Sequence, residues 1–367
     1  MPTPVAQHDA RGRGASGVAE IPAAGWKDIL WRTYNEVVGD HVLLIAAGVT
    51  FYGLLALVPA LTALVSLYGM FADPTTLDRH MELVEGLIPS GGLDIVREQL
   101  GRLAEQGQTR LGLASLGAFA IALWSANSGV KSMFEAMNVA YDEEEKRSYV
   151  RLTAVTMAFT LATFAAILLL IGLIVVLPTV LQFIGLGTAA QWAARIGGLV
   201  LMVLLMIAGL AALYRVGPSR QAAQWRWITP GAILAIIVIL VTSGLFTWYV
   251  AFFGSYDATY GSLGAIFGFM TWLWIAAIIV IVGAELNSEI EHQTVRDTTT
   301  GRPRPMGERG AVMADTIGSA YGDAEIDLRG ASQPERTVGE PLPLGRAALL
   351  AGLLWFRRRA GRGQPSG

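Results

Sequence analysis

From Ala258 through Ala284 the chain carries no Asp, Glu, Lys or Arg, and Glu285, Glu289 and Glu291 then follow in close succession. A helix needs about 20 mostly apolar residues to cross a bilayer core about 30 Å thick. Runs of that kind recur along the 367 residues and dictate what the chain can become. Only 15% of the residues are charged, against roughly 25% in a soluble domain. The expectation is an all-α, polytopic membrane protein.

Six spans satisfy the length requirement: 42–72, 111–130, 152–177, 196–214, 228–253 and 262–284. The stretch from 152 to 194 is too short for two full spans and a turn, so it is read as one span ending near Pro178 plus a loop. Pro230 sits where a first helical turn tolerates proline. The first 24 residues lack the apolar core of a cleaved signal peptide, so the first span is read as a retained anchor.

Loop charge gives the orientation. Arg11, Arg13, Lys27 and Arg32 precede the first span; Lys131, Lys146, Arg147 and Arg151 follow the second; Arg215, Arg220 and Arg226 follow the fourth. The alternate loops are poor in Lys and Arg or dominated by acids. Both termini are therefore expected on the cytoplasmic side.

Residues 25–40 are amphipathic, with Trp26, Ile29, Leu30, Thr33 and Val37 at helical spacing. That segment is either an interfacial helix or a helix packed on the bundle's own end. The outer loop 72–110 reads as an amphipathic helical hairpin broken at Pro89–Gly92, a cap on the bundle or a lid. Residues 1–24 and 292–345 are poor in large apolar side chains and are expected to be disordered. Arg357, Arg358 and Arg359 beside Trp355 and Phe356 read as a weak surface anchor for anionic lipid, within a tail spanning 293–367.

Composition also removes functions. The net charge of -2 offers no basic face for nucleic acid, and the absence of cysteine excludes disulfides and thiol chemistry. His8, His41, His80 and His292 form no pair at metal-ligand spacing. No metal, cofactor or catalytic residue is expected. What remains is polarity in or at the ends of spans: Thr50, Tyr52, Ser125, Asn127, Asp257, Tyr260 and Glu285. Asn127 is costly in lipid unless it bonds a neighbouring helix or faces a cavity. Pro59 kinks the first span and frees backbone carbonyls. Gly264 and Gly268 permit close helix approach.

Glu285 and Glu289 are four residues apart, share a helix face, and sit at the negative pole of the helix dipole. Three readings fit: a structural ion pair with a basic residue of 131–151 or 215–226, a solvated helix end, or a site for a cation or substrate amine.

Three motifs carry a family resemblance. AAGVTFYGLLALVPALTALVSLYG (46–69), WSANSGVKSMFEAMNVAYDEEEKRSYVR (124–151) and TYGSLGAIFGFMTWLWIAAIIVIVGAELNSEIE (259–291) resemble, in order, segments of the YihY/BrkB family of inner-membrane proteins, formerly labelled ribonuclease BN. The likeness covers about residues 25–292. It implies a bacterial inner-membrane protein of six spans and marks Tyr52, Pro59, Asn138, Tyr260, Gly261, Glu285 and Asn287 as a shared set, without established roles. Together with Asn127 and Glu289 these are the candidate cavity residues. The function expected is transport of a lipid or amphipathic envelope substrate, with membrane lipids as partners. A non-transporting scaffold is the alternative, and a ribonuclease the least supported.

Overall fold

The computed structural model describes residues 10–69, 113–171, 188–253 and 262–321. These form α1 (Ala23–Gly39), α2 (Val42–Gly69), α3 (Leu113–Ala140), α4 (Tyr149–Ile171), α5 (Thr188–Val216), α6 (Trp225–Phe253), α7 (Ser262–Glu291) and the single turn α8 (Val312–Asp315). The sole β feature among the described residues is an isolated antiparallel bridge between Ala223 and Thr299. The all-α expectation holds for this part of the chain. Four helices are long and apolar enough to cross a membrane. A fifth is added if α1 and the first part of α2, bent by 62°, count as one broken span. The six spans read from the sequence are not reached among the described residues, and the hairpin at 72–110 lies outside them.

The break between α1 and α2 falls at Asp40–His41, where His41 takes a left-handed φ of 54°. Without that residue two helices of compatible pattern would run on as one. α7 is central and packs against α1, α2, α3 and α6. The core joins Val42 of α2, Phe134 of α3, Tyr214 of α5, Ile228 of α6 and Ile281 of α7. Close approach is set by glycines the sequence reading did not single out. A Cβ on Gly129 of α3 would stand 3.2 Å from Ala56 of α2, and one on Gly231 of α6 would collide with the Gly283 carbonyl of α7. Gly268, expected at a helix contact, has open space around its Cα instead.

All described connections gather at one end of the bundle, termed the basal end. There the expectation of disorder fails for residues 10–24 and 292–321. Few of these residues are large and apolar, and side chain–backbone hydrogen bonds do the folding instead. Arg309 donates to the carbonyls of Ala314 (2.6 Å), Val295 (2.8 Å), Arg296 (3.2 Å) and Arg304 (3.2 Å). Asp315 accepts from the backbone of Gly307 (2.7 Å), Arg309 (3.0 Å) and Gly310 (3.0 Å). Gly307 and Gly310 hold positive φ, which only glycine adopts without strain. The N-terminal strip is tied in by Thr294 donating to the Ala15 carbonyl at 2.8 Å and by Arg11 paired with Asp28 at 2.8 Å. Composition argues disorder because it counts apolar area; it is blind to an arginine that satisfies four carbonyls.

α1 resolves the choice left open for 25–40 by packing on the bundle. Its buried residues are Gly25, Asp28, Ile29, Arg32 and Thr33. That face is rotated from the apolar stripe because Asp28 and Arg32 have ion-pair partners. Leu30, Tyr34 and Val38 face outward instead.

Candidate functional site

The last turns of α7 bring Glu285, Asn287, Ser288, Glu289 and Glu291 into the basal end, all fully buried. A solvated helix end is therefore excluded. The three glutamates differ in how their charge is met.

Glu291 has the strongest partner. Arg220, from the α5–α6 loop, donates to it through two nitrogens at 2.6 and 3.1 Å, and Thr298 adds a hydroxyl at 2.9 Å. Arg220 also lies over the ring of Tyr141, 4.3 Å from its centroid. Burial works against the Arg220 charge, but Glu291 outweighs it and holds the guanidinium above its usual range. Burial likewise pushes the Tyr141 phenol well above ordinary tyrosine. Such a two-nitrogen pair has both charge and geometry in its favour.

Glu289 is met by Arg32 of α1, which donates through Nε. Arg32 also donates to Gln293 at 2.8 Å and to the Ser319 carbonyl at 2.7 Å. His292 Nδ1 stands 3.4 Å from Glu289. The partner comes from α1, not from the two loops that the sequence suggested.

Glu285 is different. Its Oε1 is buried and has no hydrogen-bond partner, and no ion pair reaches it among the described residues. Burial weighs most on its carboxyl, and the acidic Asp40, Glu36, Glu289 and Asp142 add to that. The register explains the pattern. Arg32 meets Glu289; one turn on along α1 is Glu36, and one turn back along α7 is Glu285. The next acid along each helix from the salt bridge thus has no basic partner supplied by the other. Glu289 Oε1 also lacks a donor. Two carboxylate oxygens on one face of α7 are left to something other than the described chain.

The remaining candidates separate into bracing and exposed positions. Asn287 braces α6: its Oδ1 accepts from Gly231 N at 2.8 Å and its Nδ2 donates to the Ile228 carbonyl at 2.8 Å. Asn138 joins two basal loops, accepting from Ser219 N at 2.7 Å and donating to Glu145 at 3.1 Å. Asn127 accepts from Thr160 of α4 at 3.1 Å, so it bonds a neighbouring helix. Thr50 bonds its own helix at Ala46. Tyr52 lies outward on α2 beside Phe51, and Pro59 lies inside α2. Tyr260 and Gly261 lie outside the described residues. No group of three His, Asp or Glu among the described residues has the geometry to hold a metal ion. The structure thus unites Glu285, Asn287 and Glu289, and adds Arg32, Tyr141, Arg220 and Glu291, which sequence reasoning missed as site members. Arg32 had registered only as an orientation charge, whereas Arg220 lies in the 215–226 loop where an ion-pair partner was expected, although it serves Glu291.

The family described as "Virulence factor BrkB" matches residues 33–307, from the second half of α1 through α7 and into the basal cap. The chain belongs to the BrkB family. It is 32% identical over 249 residues to the ribonuclease-like protein YfkH of Bacillus subtilis, covering 66% of this chain and 88% of that one. A UPF0761 membrane protein of Pseudoalteromonas translucida is 24% identical over 282 residues, covering 75% of this chain and 88% of its own. A UPF0761 membrane protein of Neisseria meningitidis serogroup B is 26% identical over 279 residues, 75% and 66% of the two chains. No solved structure matches. Family and helices together make this a membrane protein, and BrkB membership itself indicates no catalytic function.

Proposed function

We propose that this BrkB protein transports a lipid or amphipathic envelope substrate across the bacterial inner membrane, with six spans and both termini cytoplasmic. The observation that carries the reading is Glu285. A buried carboxyl group whose Oε1 lacks a donor and whose charged neighbours include other acids is destabilising, and a purely structural helix end has no use for it. Its neighbours on the same turns are neutralised by Arg32 and Arg220, so the fold supplies counter-charges where stability needs them. Glu285 suits a transient cationic group of a passing substrate, and Glu289 Oε1 offers a second acceptor beside it. The spans above carry almost no charge, which favours a substrate with an apolar body. The outward Leu30, Tyr34 and Val38 of α1 suit an interface with lipid.

Reconstitution tests this. Purified protein in proteoliposomes is assayed with a short-chain fluorescent phosphatidylethanolamine, whose head carries an ammonium. Movement that depends on Glu285 supports the reading. Protein that moves neither this probe nor other amphipathic probes returns the scaffold, for which deletion of residues 322–367 is the test. A nuclease assay on the same preparation addresses the ribonuclease alternative, and no cleavage is expected.

A further inference from the structure

Lys131 is the one lysine on the α3 helix; like Lys27 over Tyr321 and Arg215 over Trp225, it lies against aromatic rings and not against a carboxylate. Arg11, Arg32, Lys146, Arg147 and Arg220 each pair with a carboxylate. Lys131 pairs with none among the described residues. Its Nζ donates to Thr153 Oγ1 of α4 at 3.0 Å and lies 4.7 Å from the ring centroid of Tyr149 and 5.3 Å from that of Trp124. An ammonium has three N–H donors, and one is used.

The direction of the side chain matters. Trp124 precedes Lys131 by seven residues, two turns along the same face of α3. The ammonium sits between that ring and the start of α4, where Thr153 and Tyr149 are its nearest neighbours. Trp124 and Tyr149 are 54% and 66% exposed, so this face is open along the outside of the bundle. Trp and Tyr favour the level of lipid headgroups, and cation–π contact attracts the charge without neutralising it.

We infer that the α3–α4 face formed by Lys131, Thr153, Trp124 and Tyr149 binds the phosphate of an anionic phospholipid. Charge complementarity selects the occupant: a partly buried cation with donors to spare, joined on α4 by the exposed Arg151, which together outweigh the exposed Glu135 one turn on along α3. The phosphate accepts from Lys131 and from the Thr153 hydroxyl, and the two rings flank the glycerol region. The site lies on a different helix pair from Glu285, and its occupancy is measured without any transport.

The test is native mass spectrometry of the full chain in detergent, titrated with dioleoylphosphatidylglycerol or dioleoylphosphatidylcholine. The wild type is expected to retain one phosphatidylglycerol at least tenfold more strongly than phosphatidylcholine. Lys131→Gln should abolish that preference, and Lys131→Arg should keep it. Inorganic phosphate at millimolar concentration should not displace the lipid. Equal binding of phosphatidylglycerol by wild type and Lys131→Gln, or no preference over phosphatidylcholine in the wild type, overturns the proposal. Displacement by inorganic phosphate assigns the site to a free anion and overturns the lipid assignment. Thermal melting of both variants shows that lost binding is not lost folding.

Discussion

The Arg32 guanidinium donates to Glu289 and leaves Glu285, one helical turn earlier on α7, without a partner among the described residues. One turn separates a carboxylate built into the fold from one that the fold tolerates. The two should therefore respond oppositely to substitution.

Arg32→Ala strands Glu289 in the interior. Breaking a buried pair from one side costs about 3–5 kcal/mol. The melting temperature in detergent should fall steeply, and Arg32→Ala combined with Glu289→Gln should recover part of the loss. Equal stability of wild type and Arg32→Ala would remove α1 from the basal framework.

Glu285→Gln replaces a buried carboxyl that has no counter-charge with a neutral amide of the same shape, and should leave stability unchanged or raise it. A gain in stability accompanied by lost activity is what a functional position shows. A fall in melting temperature would mean that Glu285 has a structural partner.

Asn287→Ala unsatisfies Gly231 N and the Ile228 carbonyl together, at about 1–3 kcal/mol for each group left bare. Gly231→Ala should be at least as harmful, because its Cβ meets the Gly283 carbonyl. Asn127→Ala removes a single side-chain bond to Thr160 between helices, and such bonds in membrane proteins average about 0.6 kcal/mol. Thermal melts should show Gly231→Ala at least as damaged as Asn287→Ala, and Asn127→Ala the least.

Acid should loosen the α3–α4 loop. Partial burial raises the Glu145 carboxyl, but Arg147 and Asn138 bind it and bring it down from 4.5 to about 2. A depressed carboxylate contributes stability that is complete above its unfolded value. That contribution is lost as pH falls from 4.5 towards 2. Melting followed over this range should show the loss, reduced in Glu145→Gln. The magnitude should be modest, since the side chain is partly exposed.

Four of the expected spans, on α4, α5, α6 and α7, were legible because bilayer thickness imposes a length and an apolar composition. Asn127 was readable for the same reason: an amide inside a span has few fates, and a neighbouring hydroxyl is the usual one. The basal cap was not legible. Its order rests on Arg309 and Asp315 meeting backbone groups, a pattern with no periodicity to detect. Nor could spacing alone say which glutamate was paired. Glu285 and Glu289 share a face in any helix, and only the packing of α1 on α7 brings Arg32 to Glu289. Gly231 and Gly283 were invisible among 42 glycines, whereas the better-known spacing at Gly264 and Gly268 drew attention to a contact that Gly268 does not make.

The most direct measurement is movement of fluorescent phosphatidylethanolamine in proteoliposomes by wild type, Glu285→Gln and Glu289→Gln, with melting temperatures taken on the same preparations. The account predicts that the wild type moves the lipid and that Glu285→Gln slows it at least tenfold while melting at or above the wild-type temperature. Glu289→Gln should chiefly lower stability. Wild-type movement that is unchanged in a well-folded Glu285→Gln, or no movement by the wild type, would contradict the assignment of Glu285 to the transport path.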